Sequence, residues 1–405
     1  MLHPLRFISL TQAVTGTYIL FMLGFFFIPN AVDQYKFYSI VVFLPALPLL
    51  PRMLKTLGHD RLLLLIAAYL LWMLLSSFWS ENFSLEAFLK TLRLVAYIIV
   101  FILLTAYIAS QTPSTSEKIV ALLSMAAALA AVISVPLWYS DHSFPSSRMI
   151  GTGTLNNPNP SAFVYGFFAV ACCHLALSYT RLWLRLVFSI GTLLLAALVF
   201  LTQSNTGILA TVFSIALLLL LRHGGRLLHL AIGIFVTIGA LVFLSYSLGI
   251  LERPMDGGLS QRIPIWQHVI EQIKAAPVIG HGYQKLLLLD AQGGPDIANY
   301  AHNAILASFR DGGLVAAILH LLILVTALIT AGKIYSRDKD PVYLAYLLFG
   351  FICMLADTDQ LITRPRELWI IFWWPLAMII ASRINQQTVE PGKIRRQAGR
   401  RVRYN

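Results

Sequence analysis

Long apolar runs, broken by short polar or Pro/Gly-containing stretches, recur along the chain from Thr11 to Ile384. Runs near 20 residues have the length of an α-helix that crosses a bilayer. The pattern predicts spans at Thr11–Pro29, Tyr35–Leu50, Leu62–Trp79, Leu85–Ala109, Lys118–Trp138 and Pro160–Tyr179. Further spans are predicted at Leu182–Leu201, Thr206–Leu221, Leu227–Leu248, Asn303–Ala331, Val342–Ala356 and Leu368–Ile384, with "TQSNTG" as the break that divides Leu182–Leu221. No internal repeat is visible. The expected fold class is all-α, a polytopic integral membrane protein of about 12 transmembrane helices. Nine of these fall in 1–248 and three in 303–384; 249–302 forms a long loop with short amphipathic helices, and 385–405 a basic tail.

Composition agrees: 58% of residues are hydrophobic, 12% are charged, and mean hydropathy is +0.74. An ordinary soluble domain is not so poor in charge. The net charge of +12 therefore reads first as membrane topology and not as nucleic-acid affinity. Arg52, Lys55, Arg61, Arg181, Arg185, Arg222, Arg226, Lys333, Arg337, Lys339 and the tail "GKIRRQAGRRVRYN" all fall on one side, which the positive-inside rule makes cytoplasmic. The tail is expected to touch anionic membrane lipid. The opposite side then carries the sizeable loops 139–159, 249–302 and 357–367, where ATP and nucleotide sugars are absent. Cys172, Cys173 and Cys353 sit in apolar runs and suggest neither a disulfide nor a metal framework. The first apolar run lacks a cleavage site and reads as an uncleaved helix.

Charge inside or at the mouth of a span is costly and marks candidate chemistry. In "HNAILASFRDGG", His302 and Asn303 stand at the outer mouth, and Arg310 and Asp311 lie within the span. Helical spacing puts Asn303 and Arg310 on nearly one face, about 10 Å apart in depth. Asp311 points elsewhere and is expected to pair with a cation on another helix. His302 has the ordinary pKa of a general base, or it caps the helix. In "SQRIPIWQHVIEQIKAAPVIGHGY" an amphipathic helix is expected to start just after Arg262, with Pro264 in its first turn. That places the guanidinium beside free N–H groups as an anion site, with Trp266 one turn on to pack under a sugar or at the bilayer interface. Lys90 and Arg93 share a helix face with Glu86. Arg148 lies in an outer loop, and Arg364 and Arg366 open the last span. Several arginines and a histidine on one outer rim suit a phosphate or diphosphate, which arginine grips bidentately without a metal. Asp357 and Asp359 form the D-x-D that would serve if a metal were used; no metal and no cofactor is the preferred reading.

Taken in order, these segments resemble the O-antigen ligase/O-antigen polymerase family of bacterial envelope glycosyltransferases. "GTLNNPNPSAF" is similar to the family's Asn-Pro-Asn helix opening, and "LTQSNTGILA" to its T-x-S-R-G segment, with Asn205 where arginine is usual. Arg262, Trp266, Pro277, Gly280 and Gly282 match an R-x-x-x-W…P-x-x-G-x-G segment. His302, Asn303, Leu306, Asp311 and Gly313 match an H-N-x-x-L…acid-x-G segment. Either Arg148 or Arg310 replaces the charge missing at Asn205, or that charge is dispensable. The resemblance implies a GT-C-like architecture in the bacterial inner membrane, with the long loop in the periplasm. It also implies an inverting transfer of polysaccharide from undecaprenyl diphosphate to lipid A–core oligosaccharide. His302 would be the general base and Arg262 would stabilise the diphosphate. Arg148, Asn303, Arg310, Lys90, Arg93, Arg364, Arg366 and Trp266 would bind substrate. A polymerase and a protein O-oligosaccharyltransferase share these motifs; the short basic tail favours a ligase over the latter. A lipid-linked-sugar flippase would need charge nearer the midplane and repeat symmetry.

Overall fold

A computed structural model of the chain describes residues 9–111, 113–223, 259–285, 287, 301–358 and 360–387. Among the described residues the protein is all-helical, and nine helices are long and apolar enough to cross a membrane. They are α1 (Leu10–Phe27), α2 (Ala31–Leu57), α3 (Arg61–Trp79), α4 (Leu85–Gln111), α5 (Pro113–Tyr139), α6 (Pro158–Ser178), α7 (Leu182–Leu201), α8 (Asn205–His223) and α10 (Ala304–Asp338). Two shorter apolar helices, α11 (Val342–Asp357) and α12 (Trp369–Asn385), match the last two expected spans. The protein is a polytopic membrane protein. The span expected at Leu227–Leu248 and residues 249–258, 286 and 288–300 of the long loop lie outside the described residues. The loop's described part begins with α9 (Leu259–Ala275).

Local chemistry explains the breaks. α7 and α8 separate at "TQSN", where Gln203 takes a left-handed φ of 53° and the Ser204 hydroxyl meets the Gly207 N–H at the start of α8. α2 is irregular because Pro45, Pro48 and Pro51 remove backbone donors. It carries a π-turn at Tyr38–Phe43 and a 3-10 turn at Leu47–Leu49. α6 opens on Pro158 with Asn157 as its cap, a position where the missing N–H of proline costs nothing.

Packing sorts the helices into inner and outer. Trp369 of α12 is fully buried, its ring 4.7 Å from Phe101 of α4, 5.0 Å from Tyr38 of α2 and 6.0 Å from Phe21 of α1. Within a bilayer such interlocking supplies dispersion contacts that lipid tails match poorly, and these hold the helices together. Leu182, Leu193 and Leu328 stay exposed on the faces of α7 and α10 that suit acyl chains.

α10 is not one rod. Gly313 has φ 65° and ψ −163°, so the helix breaks there into an outer leg bearing Ser308, Arg310 and Asp311 and an inner leg running to Asp338. The segment after α9 fills the break. His281 and Gly282 N–H groups donate to the carbonyls of Arg310 and Asp311 at 2.9 and 2.8 Å, and Leu314 N–H donates to Pro277 O at 2.9 Å. Gly280 (φ 72°) passes so close that a Cβ would lie 2.5 Å from Asp311 O and nearer still to Gly313 N. Two glycines in contact thus give the P-x-x-G-x-G and acid-x-G spacings a shared cause. Gly313→Ala and Gly280→Ala should each destabilise the protein, with about 1–3 kcal/mol from the strained φ alone and more from the clash. Thermal unfolding of the purified variants, with Gly332→Ala (no atom within 4 Å of its Cβ position) as the neutral control, checks this.

Candidate active site

The site is assembled at the end of α11. The last residue of that helix is Asp357, and its final carbonyls have no partner within the helix. Two side chains reach them from elsewhere: Asn303 Nδ2 donates to Leu355 O at 3.0 Å, and Arg262 Nη1 donates to Ala356 O. A guanidinium at a helix C-terminus also meets the negative end of the macrodipole. The Asp357 carboxylate, 6% exposed, completes the junction. Its Oδ1 accepts from Arg262 Nη2 at 2.8 Å and from His302 Nδ1 at 3.1 Å, and its Oδ2 accepts from Asn159 Nδ2. Asn159 in turn takes a bond from Arg148 Nη2 at 3.0 Å.

Arg148, Asn159, Arg262, His302, Asn303 and Asp357 therefore form one connected network drawn from the 139–159 loop, α6, α9, α10 and α11. His302 sits in it at φ 48°, a left-handed conformation that costs a non-glycine residue energy and is found disproportionately at functional sites. It does not cap α10. Asn303 does, its Oδ1 accepting from Ile305 and Leu306 N–H at 3.0 Å. The histidine is thereby held at the mouth, 32% exposed, with one ring nitrogen against a carboxylate. A carboxylate at Nδ1 holds the proton there and leaves Nε2 as the basic nitrogen. Trp266 closes the side of the network, its Nε1 donating to Ala301 O at 3.0 Å.

Arg262 departs from its expected setting. α9 starts at Leu259, so Pro264 lies inside the helix and Arg262 in its first turn. The guanidinium turns to the C-terminal carbonyls of α11 and not to the N–H groups of its own helix. Asp357 likewise carries three side-chain donors, one of them a cation; Asp359 lies outside the described residues. Among the described residues no group of three or more His, Cys, Asp or Glu side chains is gathered as for a metal.

The other basic residues occupy different places. Arg310 is 4% exposed. Its Nη1 donates to Asp311 Oδ1 at 2.9 Å, Nη2 to Lys285 O at 3.0 Å and Nε to Gln272 Oε1. Asp311, expected to find a cation on another helix, thus pairs with its own neighbour and takes a bond from Gln360 at 3.3 Å. Beside them Tyr283 is buried, which pushes its phenol pKa up and keeps it a donor, 2.9 Å from Ile362 O. Lys90 and Arg93 are exposed on α4. Arg93 lies over the Tyr35 ring at 5.5 Å, and Arg364 is close enough to act on the same phenol electrostatically. Arg366 bonds to Glu367 at 2.6 Å. Of the two arginines considered as replacements at Asn205, Arg148 reaches that region, donating to Thr202 O at 3.2 Å. Arg310 bonds to the α9 side instead.

Residues 190–321 match the family model described as O-antigen ligase. The chain is 29% identical to an O-antigen ligase of Pseudomonas aeruginosa over 376 residues, which covers 90% of this chain and 89% of the relative. The chain is thus similar to an O-antigen ligase over most of its length. It is also 26% identical to the exopolysaccharide production protein ExoQ of Rhizobium meliloti, over 74% of this chain and 72% of that protein. The family match contains Arg262, Trp266, His302, Asn303 and Arg310. Arg148, Asn159 and Asp357 lie beyond it, yet they bond to the matched residues or to one another. Sequence reasoning did not single out Asn159, and it considered Asp357 only as half of a D-x-D for a metal, not as the partner of Arg262 and His302. The available signal was an acid in the last turn of an apolar helix, a position that calls for a partner.

The Arg262–Asp357 pair is partly buried, and removing one member leaves the other's charge uncompensated, at a cost of about 3–5 kcal/mol for fully buried pairs and less here. Arg262→Ala should therefore lower thermal stability as well as activity. Arg262→Ala combined with Asp357→Asn should be less destabilised than the sum of the two single variants. A double-mutant cycle on unfolding temperature measures this coupling; strict additivity would show the pair to be energetically idle.

Proposed function

We propose that the protein is an O-antigen ligase that moves a polysaccharide from undecaprenyl diphosphate onto a sugar hydroxyl of lipid A–core oligosaccharide. The reaction is read as inverting and metal-independent, at the periplasmic face of the inner membrane. The observation that supports it most is the convergence of Arg262 and His302 on one buried carboxylate at the mouth of α10. His302 Nε2 takes the proton of the acceptor hydroxyl as that oxygen attacks the anomeric carbon. The bond from this carbon to the phosphate oxygen breaks, and undecaprenyl diphosphate departs with the electron pair. Attack opposite the leaving group inverts the anomeric centre. Asp357 keeps the imidazole in the required tautomer and stabilises the imidazolium that forms. Arg262 spends two of its five N–H donors on Ala356 and Asp357. The remaining edge is available to the diphosphate, where fixed cations stabilise developing charge. Arg148, held through Asn159, would extend the same cationic surface. Lys90, Arg93 and Arg364 are proposed to receive the donor lipid, and Trp266 to bear a sugar. Arg310 contributes by holding the long loop on α10, and Asn303 by fixing His302 at Asp357.

The similarity to an exopolysaccharide production protein supports a second reading, in which the acceptor hydroxyl belongs to another lipid-linked glycan. Supplying purified protein with the donor and either acceptor distinguishes the two.

A positioned general base contributes about 10²–10⁴-fold to rate. His302→Ala should lower turnover by about that factor at saturating donor while donor-lipid binding persists. Lost donor binding with an unchanged saturated rate would make the histidine a phosphate ligand instead.

The native cysteines are all buried, so single introduced thiols can report topology. Ser143→Cys, in the exposed turn after α5, should react with a membrane-impermeant maleimide from the periplasm while the inner membrane is intact. Reaction only after inner-membrane lysis would place the site on the cytoplasmic face.

A further inference from the structure

At the end of the bundle opposite the candidate site, α3, α10 and α12 enclose a groove of about 680 Å³. α3 meets the outer leg of α10 near its C-terminus, where Trp72 Nε1 donates to Gly312 O at 2.7 Å. The groove lies at the other end of both helices, between the Arg61 start of α3 and Lys333 near the end of α10. Its lining follows helical spacing. Arg61, Leu64 and Leu65 stand at i, i+3, i+4 on α3, and Ile329 and Lys333 at i, i+4 on α10, with Arg383 contributed by α12. The cations sit at the terminal end, and the aliphatic side chains begin one turn, about 5 Å, further in. Leu64 and Ile329 are 54% and 53% exposed, so the walls open outward to the bilayer and not into the bundle.

The charges do not balance locally. Asp60 is the acid at this end of α3. One of its oxygens bonds to Arg383 Nη1 at 3.0 Å, and the other caps the Leu62 and Leu63 N–H groups. Arg61 and Lys333 have no hydrogen-bond or ion-pair partner among the described residues. Two uncompensated cations above an apolar, membrane-facing trough match a molecule with an anionic phosphate and an acyl chain. We propose that this groove is a binding site for one anionic glycerophospholipid. Its phosphate lies between Arg61 and Lys333, and an acyl chain lies along Leu64, Leu65 and Ile329. The site is independent of the proposed transfer chemistry, which occupies the opposite end of α10.

The test uses full-length protein and native mass spectrometry in mixed micelles with phosphatidylglycerol or phosphatidylcholine. The wild type should retain one phosphatidylglycerol with about tenfold preference or more, the scale that two basic side chains give at an anionic surface. R61Q combined with K333Q should abolish the preference. R52Q combined with K55Q, which removes the same charge from exposed positions on the neighbouring α2, should keep it. Ile329→Trp, which blocks the trough and leaves its cations in place, should also reduce retention. Equal retention of both lipids by the wild type, equal loss in the two double variants, or unchanged retention in Ile329→Trp would each overturn the proposal. Because the last variant keeps both cations, it decides the matter even if R61Q/K333Q fails to insert.

Discussion

Burying the Asp357 carboxylate at the end of an apolar helix is the constraint around which the outer half of the molecule is arranged. An isolated carboxylate there would carry a desolvation cost of several kcal/mol, and the chain meets it with donors from three distant segments: Arg262, His302 and Asn159. The same helix end leaves open carbonyls, which Arg262 and Asn303 cap. Satisfying α11 therefore brings the start of α6, the loop helix α9 and the mouth of α10 to one point. The local electrostatics of the site and the packing of these helices are one problem with one solution.

A second joint, made of backbone, makes the first possible. Arg262 reaches Asp357 from α9 within the long loop and His302 from the loop's last residue, so the loop must return to α10 in a defined register. The Gly280–Gly313 contact, with the carbonyls of Arg310 and Asp311 bonded to the passing strand of chain, sets that register. Arg310 and Asp311 lock it from the side-chain face through Gln272, Lys285 and Gln360. Low dielectric strengthens each of these bonds and penalises any that is left unmade. An arginine placed this deep consequently serves best where every donor has a fixed acceptor.

The basic residues fall into two physical kinds. Arg310 and, in part, Arg262 are buried and bonded to acceptors that hold the fold. Lys90, Arg93 and Arg364 remain exposed, with the cation–π contact to Tyr35 positioning one of them. Exposed cations retain hydration and rotamer freedom that an incoming anion can displace, whereas a buried, bonded guanidinium supplies a preorganised field.

The apolar run lengths determined the membrane-helix architecture without help from tertiary structure, because a helix must satisfy its backbone internally and span about 30 Å wherever it sits in a bilayer. The break at "TQSN", the proline-led start of α6 and the candidacy of His302 and Arg262 were legible for similarly local reasons: turn chemistry, cap chemistry and the cost of charge near hydrocarbon. What the sequence could not settle is what each charge faces. Asp311 beside Arg310 is a pairing of neighbours, whereas Asp357 beneath Arg262 and His302, and Asn303 on a carbonyl of α11, are pairings across 95, 55 and 52 residues. Helical spacing ranks the faces of one helix but is silent about which other helix stands opposite. Only the packed bundle, by bringing the ends of α6, α9, α10 and α11 together, decided which arginines are bonded to buried protein acceptors and which stay exposed.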